Sequence, residues 1–471
     1  MQKRVAVVGG GISGLAAVHH LRELDPSLQV DLYEGEDKLG GVLQTTRTPE
    51  YLLEHSADNF ITNIPWGLDL CRRLGLEPEL LPTNESLRKA YVVCRGKLEE
   101  VPEGFLLMAP GKIWPILTTP ILSPWGKLRL AAEYFVRRRT ETSDESLRSF
   151  VERRLGREVY QRLVQPLIGG IYTADPDKLS IQATLRQFVE MEQRHGGLIR
   201  GMRKRTADAA QSGARYSMFT APRGGMTALV EALIRRMDPA SVHLSARVDA
   251  VSRAESMWRV EVNGQILPFD GVIVAAPAPH AANLLRGETE LAKELEAIPY
   301  AGCSLVILTV DEKQIKRPIR GFGFVVPEIE KRKILAASFA SYKFPDRAPE
   351  GKTVIRVFVG GACQPELGHL PDDRLRVLVQ EELGDLIGLV GEPEQCLITR
   401  WHGKMPQYHL NHLDRVERIE RHQDQLPGLA LAGNAYRGVG IPQCIHSGEE
   451  AAKRMVAYLA RIIHGQSAAR P

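Results

Sequence analysis

The chain has 471 residues, a length that suits about two or three domains sharing a large buried core. Hydrophobic residues make up 44% and charged residues 25%, the balance of a soluble globular protein rather than of a disordered or membrane-spanning one. The net charge of +4 is too small to point to nucleic acid, but it is compatible with an anionic ligand or a membrane surface. Residues 4–14 open the chain with a β-prone run, Val5 to Val8, entering Gly9, Gly11 and Gly14 in G-x-G-x-x-G spacing. Apolar residues at Leu15, Val18, Leu21 and Leu24 predict a helix, and Gln29 to Tyr33 a second strand ending in Glu34. This βαβ context gives the glycines their meaning. Gly9 permits a tight turn, Gly11 lets a pyrophosphate approach the backbone, and Gly14 lets helix and strand pack closely. Free N–H groups at the helix start, Ser13 among them, suit the phosphates, and Glu34 can accept a ribose hydroxyl.

The next residues choose the dinucleotide. Lys38-Leu39-Gly40-Gly41 places a second glycine pair just past the acid, and it is similar to the extension in FAD enzymes of the glutathione-reductase type. An extended FAD needs that further backbone contact. Lys38 keeps the charge usual at its position but loses the fork of an arginine.

Further along, Tyr51 to Phe60 reads as a strand entering a polar turn, and Trp66 to Gly75 as a helix. Tyr91–Cys94, Arg95-Gly96 and Lys97–Val101 form a predicted hairpin. From Phe105 to Arg139 the chain is apolar and proline-broken, with Trp114, Trp125 and Arg137 to Arg139. Helices are predicted at about 125–138, 144–155, 157–168 and 181–196, and Arg200, Arg203, Lys204 and Arg205 form a second basic cluster. This region reads either as an interfacial membrane patch or as a buried helical subdomain with a solvated basic rim. Gly224-Gly225 open another helix. Strands are predicted at His243–Val248, Trp258–Val262, Gly271–Ala275, 303–310, 321–326, 334–339, 353–359 and Leu429–Ala432. A glycine turn, 433–441, and a closing helix over 443–463 end the chain. The six cysteines, at 71, 94, 303, 363, 396 and 444, lack metal or CxxC spacing and read as buried, reduced thiols of a cytoplasmic protein. A strand from residue 4 leaves no room for a signal peptide, and no apolar run is long enough to span a bilayer.

Separated stretches together resemble the porphyrinogen oxidases of haem synthesis. They are the first glycine motif with Glu34 and Gly40-Gly41, Ala90-Tyr91-Val92 with Gly96-Lys97-Leu98, Pro166 to Tyr172 with Asp175-Pro176, and Gly224-Gly225-Met226. Gly321-Phe322-Gly323, Phe344 to Pro349, Trp401 with Pro406-Gln407-Tyr408, and Gly433 to Ile445 complete the set. Three departures stand near the expected cleft: Lys38 for Arg, His55 to Asn59 for a Gly-Pro turn, and Gln443 for Asp.

The resemblance implies an α/β fold with a glutathione-reductase-type FAD-binding Rossmann domain (1–75, 215–275, 425–465). It adds a discontinuous mixed α+β substrate domain (76–104, 276–424) and a helical, membrane-associating insertion (105–214). It implies oxidation of coproporphyrinogen III or protoporphyrinogen IX by three hydride transfers to FAD, with O2 as acceptor and peroxide released. Peripheral contact with the cytoplasmic membrane and contact with a ferrochelatase are further implications. The FAD set is Gly9, Gly11, Ser13, Gly14, Glu34, Lys38, Gly40, Gly41, Val248, Trp401, Gly433, Val439, Gly440 and Ile441. For the substrate the family implies the carbonyl near Gly170, an Arg88 anchor for propionate, and apolar contacts from Val325 and Phe358. Read alone, Gly170 is half of a helix-capping glycine pair, Arg88 a solvated surface residue, and Val325 and Phe358 plain core. His280, His402 and His412 receive no role, and no metal site is expected. An amine oxidase, a carotenoid desaturase and a non-catalytic flavin-binding scaffold are the competing readings on the same fold.

Overall fold

The computed structural model describes residues 2–106, 108–110, 114–141, 143–204, 219–255 and 257–468. Arg4–Val8 is the middle strand of a five-stranded parallel sheet, in the order Val242–His243, Gln29–Tyr33, Arg4–Val8, Gly271–Val274, Leu429–Leu431. Side chains alternate faces along a strand. Val5 and Val7 therefore join one core with Leu15, Leu229 and Ile445, and Ala6 and Val8 join another with Val260, Phe269 and Ala281. A parallel sheet covered on both faces is largely apolar, so Val5–Val8, Gly271–Val274 and Leu429–Leu431 lack polar alternation, while Asp31 in Gln29–Tyr33 is buried against Arg4. Helices Ile12–Leu24, Thr227–Ile234 and Ile441–Ala468 cover the first face. An antiparallel sheet of Val248–Ala254, Met257–Val262 and Gln265–Phe269 lies on the second.

The expected strand over 243–248 is corrected here. Val242–His243 pairs with Leu32 and Tyr33, the chain turns at Ser245 with φ 49°, and a new strand starts at Val248.

The second large sheet has seven strands, in the order Gln395–Arg400, Cys303–Asp311, Lys352–Gly360, Ala336–Phe339, Gly323–Val325, Ala90–Cys94, Lys97–Glu100. One face packs Val306, Leu308, Val357 and Val359 on helix Asp372–Ile387. The other face packs Leu305, Ile307 and Val354 on Tyr51 and Leu53, from the hairpin Thr45–Arg47 and Leu52–Glu54. That hairpin follows the second glycine pair directly, so the glycine-turn side of the chain rests on the second sheet.

A helical region packs beside the second sheet, with Phe150, Leu163, Ile168, Leu185 and Phe188 in its core next to Val92. The helix expected over 157–168 is broken. Arg157–Val159 runs into a π turn, Tyr160–Val164, before helix Gln165–Tyr172. Pro166 has no N–H for the Arg162 carbonyl, and its ring crowds that group. The helix over 125–138 covers only Pro124–Ala131 and tightens to a 3-10 turn, Ala132–Phe135, while the next begins at Leu147 under a Ser146 cap. Arg205 lies outside the described residues. The expectation of buried cysteines holds for Cys71, Cys94 and Cys444. Cys303 and Cys396 are half-buried and Cys363 is exposed, all of them free thiols.

Candidate active site

Gly9 has φ +107°, outside the range of most side chains, and its N–H donates to Tyr33 O at 2.8 Å. A Cβ on Gly14 would stand 1.9 Å from Gly9 O, so helix and turn are in contact. Gly11 caps the helix, and no side chain accepts from its first N–H groups. A Cβ built on Gly11 meets nothing within 4 Å. The helix start, with its partial positive charge, is therefore an open cradle for an anion.

The second glycine pair lies against the first. Gly40 bridges Gly11, its N–H donates to Gly10 O at 2.9 Å, and a Cβ on Gly41 would approach Gly11 Cα at 3.3 Å. Glu34 accepts from Gly10 N–H at 2.6 Å and Glu36 N–H at 2.9 Å, which fixes its carboxylate beside the turn. Ala246 N–H donates to Glu34 O at 2.8 Å and brings buried Val248 to the same edge. Lys38 Nζ donates to Gln44 Oε1 at 3.1 Å.

The closing helix brings the second turn to this place. A Cβ on Gly448 would stand 2.1 Å from Ser13 O, so the two helices cross at the cradle. Gly433 N–H donates to Ser447 Oγ at 3.0 Å, and Gly440 O accepts from Cys444 N–H at 2.9 Å, behind Ile441. Gly438 N–H donates to Tyr408 OH at 2.8 Å, and that hydroxyl donates to Asn434 O at 2.5 Å. Val439 packs on the helical core, and Gln443 Oε1 is buried beside Gly440 with no protein donor.

The seven-stranded sheet supplies a floor. Val92, Val325, Ala336, Phe358, Leu305 and Thr399 are register partners on one face across six strands. Above them runs helix Gln165–Tyr172, where a Cβ on Gly170 would stand 3.4 Å from Val325 Cγ1 and 4.0 Å from Ala336 Cβ. Gly170, Val325 and Phe358, far apart in sequence, are thus brought together. The capping reading of Gly170 is corrected: the cap is Thr173, left-handed at φ 48°, and its N–H donates to Gly169 O. The Gly170 carbonyl belongs to the last turn, where carbonyls have no intrahelical donor.

Arg88 is not in this row. It is exposed, follows the turn Glu85–Leu87, and donates to Thr83 Oγ1 at 3.4 Å. It lies two residues before the strand Ala90–Cys94, at the end of the same sheet.

Trp401 Nε1 donates to His55 O, and the His55 ring lies between Thr46 Oγ1 and Thr399 Oγ1, at 2.7 Å from each. Burial, with Arg356 beside it, lowers the His55 pKa. The sequence reading missed what lies next to it. Arg356 donates to Glu54 O at 3.1 Å and to Ser56 O, pairs with Asp58 Oδ2 at 2.8 Å, and holds its guanidinium 5.6 Å from the Phe358 ring centre. Lys343 meets the same carboxylate oxygen at 3.1 Å. Burial opposes the Asp58 charge, but Lys343 and Arg356 outweigh it and hold the carboxyl well below the usual range. Burial alone lifts the pKa of neighbouring Glu54, against the hydrogen bonds from Met226 N–H and Thr45. The available signal was one charge inside the apolar run Val354-Ile355-Arg356-Val357-Phe358.

Among the described residues no group of acids, histidines and cysteines could hold a metal ion. His402 stacks on His369 at 3.9 Å, and His412 stacks on Tyr408 at 4.0 Å.

With this geometry established, the chain matches the family described as flavin containing amine oxidoreductase over residues 12–456. It is 34% identical to coproporphyrinogen III oxidase of Bacillus subtilis (strain 168), over 97% of this chain and 99% of that protein. It is 30% identical to protoporphyrinogen oxidase 2, chloroplastic/mitochondrial, of Arabidopsis thaliana, over 97% and 94%. A solved structure from Exiguobacterium sp. 255-15, provisionally assigned as a protoporphyrinogen oxidase, superposes with TM-score 0.87 at 30% identity, over 98% of this chain and 99% of that one. The chain belongs to the flavin-containing amine oxidoreductases and, within them, to the porphyrinogen oxidases.

Proposed function

We propose that the protein is an FAD-dependent oxidase that converts coproporphyrinogen III or protoporphyrinogen IX to the porphyrin in haem synthesis. The observation that carries this is the row Val325, Ala336 and Phe358 under Gly170, in a fold where two glycine turns meet at one helix crossing. A flat apolar row suits a macrocycle, and the paired turns suit an extended dinucleotide.

The residues fit FAD. Gly9, Gly11, Ser13 and Gly14 form the uncapped cradle for its pyrophosphate, and Glu34 takes the ribose with the lone pairs its backbone donors leave free. Lys38, Gly40, Gly41 and Val248 line the same arm of the cofactor. Trp401, Gly433, Val439, Gly440 and Ile441 border the ring end, where the closing helix directs its N–H groups. Bound FAD supplies the hydride-accepting chemistry, and three cycles with O2 release hydrogen peroxide. The chain's own part is to bind, orient and exclude water. Val325 and Phe358 hold the ring flat, the Gly170 carbonyl accepts from pyrrole N–H groups, and Arg88 at the rim takes a propionate. In domain terms, 1–75, 215–275 and 425–465 hold the cofactor, 76–104 and 276–424 the substrate, and 105–214 is the helical part.

Side-by-side kinetics on both porphyrinogens test this, following porphyrin fluorescence and peroxide. Turnover of at least one, with stoichiometric peroxide, is expected. Turnover of amines or carotenes with neither porphyrinogen oxidised would replace this reading with one of its competitors.

A peripheral membrane contact is also proposed. Trp114, Trp125 and Phe135 are 74%, 78% and 82% exposed, a run of apolar surface that folding leaves uncovered. No helix among the described residues is long and apolar enough to cross a membrane. Hand-off of product to a ferrochelatase belongs to this reading and rests on the resemblance alone.

A further inference from the structure

The buried charges where the hairpin 45–54 meets the seven-stranded sheet lie outside the sets assigned above to cofactor and substrate. Asp58 is 7% exposed, and its partner Arg356 is 2% exposed. Asp58 comes from the cofactor side. Its neighbour His55 donates N–H to Gln44 O, and Gln44 Nε2 donates to Gly41 O. Arg356 comes from the floor, two residues from Phe358 on the same face, with its guanidinium against that ring. Lys343 ends the short helix Ala340–Lys343 and meets the same carboxylate. One carboxylate therefore joins the glycine turns to the substrate floor.

A buried ion pair adds little stability over well-packed apolar side chains, because desolvation offsets the attraction. It adds direction: Asp58 Oδ2 meets both the Arg356 guanidinium and the Lys343 ammonium, and these charge-assisted contacts hold its segment against the sheet. Arg356 also donates to Glu54 O and Ser56 O, so the segment that carries Asp58 takes its placement from these charges.

We propose that Asp58 is a positioning residue: through Lys343 and Arg356 it sets the spacing between the cofactor held by the glycine turns and the Phe358 floor. This rests on the oxidase reading. Hydride transfer is sensitive to such spacing, since a misplacement of about 1 Å costs up to about 10²-fold.

The test compares FAD-saturated wild type with Asp58→Asn, Asp58→Glu and Glu133→Gln, each well below its melting temperature. Glu133 is the control, because it forms a fully buried pair with Arg154 inside the helical part. KM, kcat, bound FAD, melting temperature and the visible circular dichroism of the bound flavin are measured. For Asp58→Asn, normal FAD content, little change in KM, a changed flavin dichroism and a kcat lower by about tenfold or more are expected. Asp58→Glu restores charge but not reach and stays slow. Glu133→Gln loses melting temperature and keeps wild-type kcat and dichroism. Wild-type kcat and dichroism in Asp58→Asn overturn the proposal, as does equal loss in Glu133→Gln. If Asp58→Asn fails to fold, Lys343→Met takes its place with the same two outcomes. If the wild type oxidises neither porphyrinogen, the oxidase reading fails, and the dichroism comparison still decides the positioning role.

Discussion

His412 is buried with Nε2 2.9 Å from Tyr436 O and its ring on Tyr408. Burial pushes its pKa from 6.5 down to about 4, against the Tyr436 contact. The unfolded chain takes up this proton as pH falls through 6.5, while the folded chain refuses it until about 4. Stability therefore falls across that window, by about 3 kcal/mol at roughly 1.4 kcal/mol per unit. Denaturant melts of His412→Gln should show a shallower slope, with the remainder from His55 and the other buried histidines; an unchanged slope would mean that those groups carry it all. Asp58 acts in the same direction at lower pH, because its folded pKa is depressed and its contribution is lost only in strong acid. Gly11 tests the cofactor separately from the fold. A Cβ there meets no protein atom within 4 Å, so Gly11→Val should melt near FAD-free wild type and purify without yellow FAD. Arg88 is exposed, and solvent screening weakens its grip on a propionate. Arg88→Ala should lower kcat/KM by about tenfold, with FAD content unchanged, and Arg88→Lys should fall between. Wild-type kinetics in Arg88→Ala would return it to the surface arginine it resembles in isolation.

The crossing of Ile12–Leu24 with Ile441–Ala468 is the element on which the cofactor side depends. Gly448 makes it: a Cβ there meets Ser13 O, a backbone atom that moves only with its helix. Gly448→Ala should cost about 1–3 kcal/mol by overpacking and weaken FAD binding, since the displaced turn is the phosphate cradle. Full FAD affinity at reduced stability would show that the helix adjusts elsewhere. This crossing was half legible. The strand, glycine turn and helix of residues 4–24 announce themselves, because phosphate binding and close packing restrict residue choice. The contact of Gly448 with Ser13 is long-range and leaves no local mark. The same division runs through the molecule. The hairpin Ala90–Cys94 with Lys97–Glu100 was readable from its turn. Gln395–Arg400 was not, because it is a half-exposed edge strand without alternation. The break before Gln165 was overlooked although Pro166 is in plain view, since the apolar period continues across it. At the site, glycine positions could be read from spacing alone. Gly170, Val325 and Phe358 came only through resemblance, and the Asp58–Lys343–Arg356 cluster not at all, for its partners lie nearly 300 residues apart.

At the scale of the whole molecule, one surface departs from the rest. Trp114, Leu117, Trp125, Leu128, Tyr134 and Phe135 are all exposed, within Trp114–Thr118, Pro124–Ala131 and Ala132–Phe135. Arg137 and Arg138 follow on the same stretch and are exposed as well. Tryptophans beside arginines suit the headgroup level of a bilayer, where an aromatic ring is wet at one edge and apolar at the other. Each large side chain gains about 1.5–3 kcal/mol on full burial, so three inserted only partly give binding of a few kcal/mol, firm enough to hold and weak enough to release. Vesicles containing anionic lipid should therefore sediment the protein at low salt. High salt should release the share due to the arginines and leave the share due to the aromatic rings. Replacing Trp114, Trp125 and Phe135 together by serine should abolish the residue that survives high salt. Because these side chains are mostly exposed already, the triple variant should melt within about 1 kcal/mol of wild type and turn over detergent-solubilised porphyrinogen normally. If wild-type protein stays in the supernatant at low salt, this face has some other purpose; if the triple variant sediments like wild type, the membrane is read by charge alone.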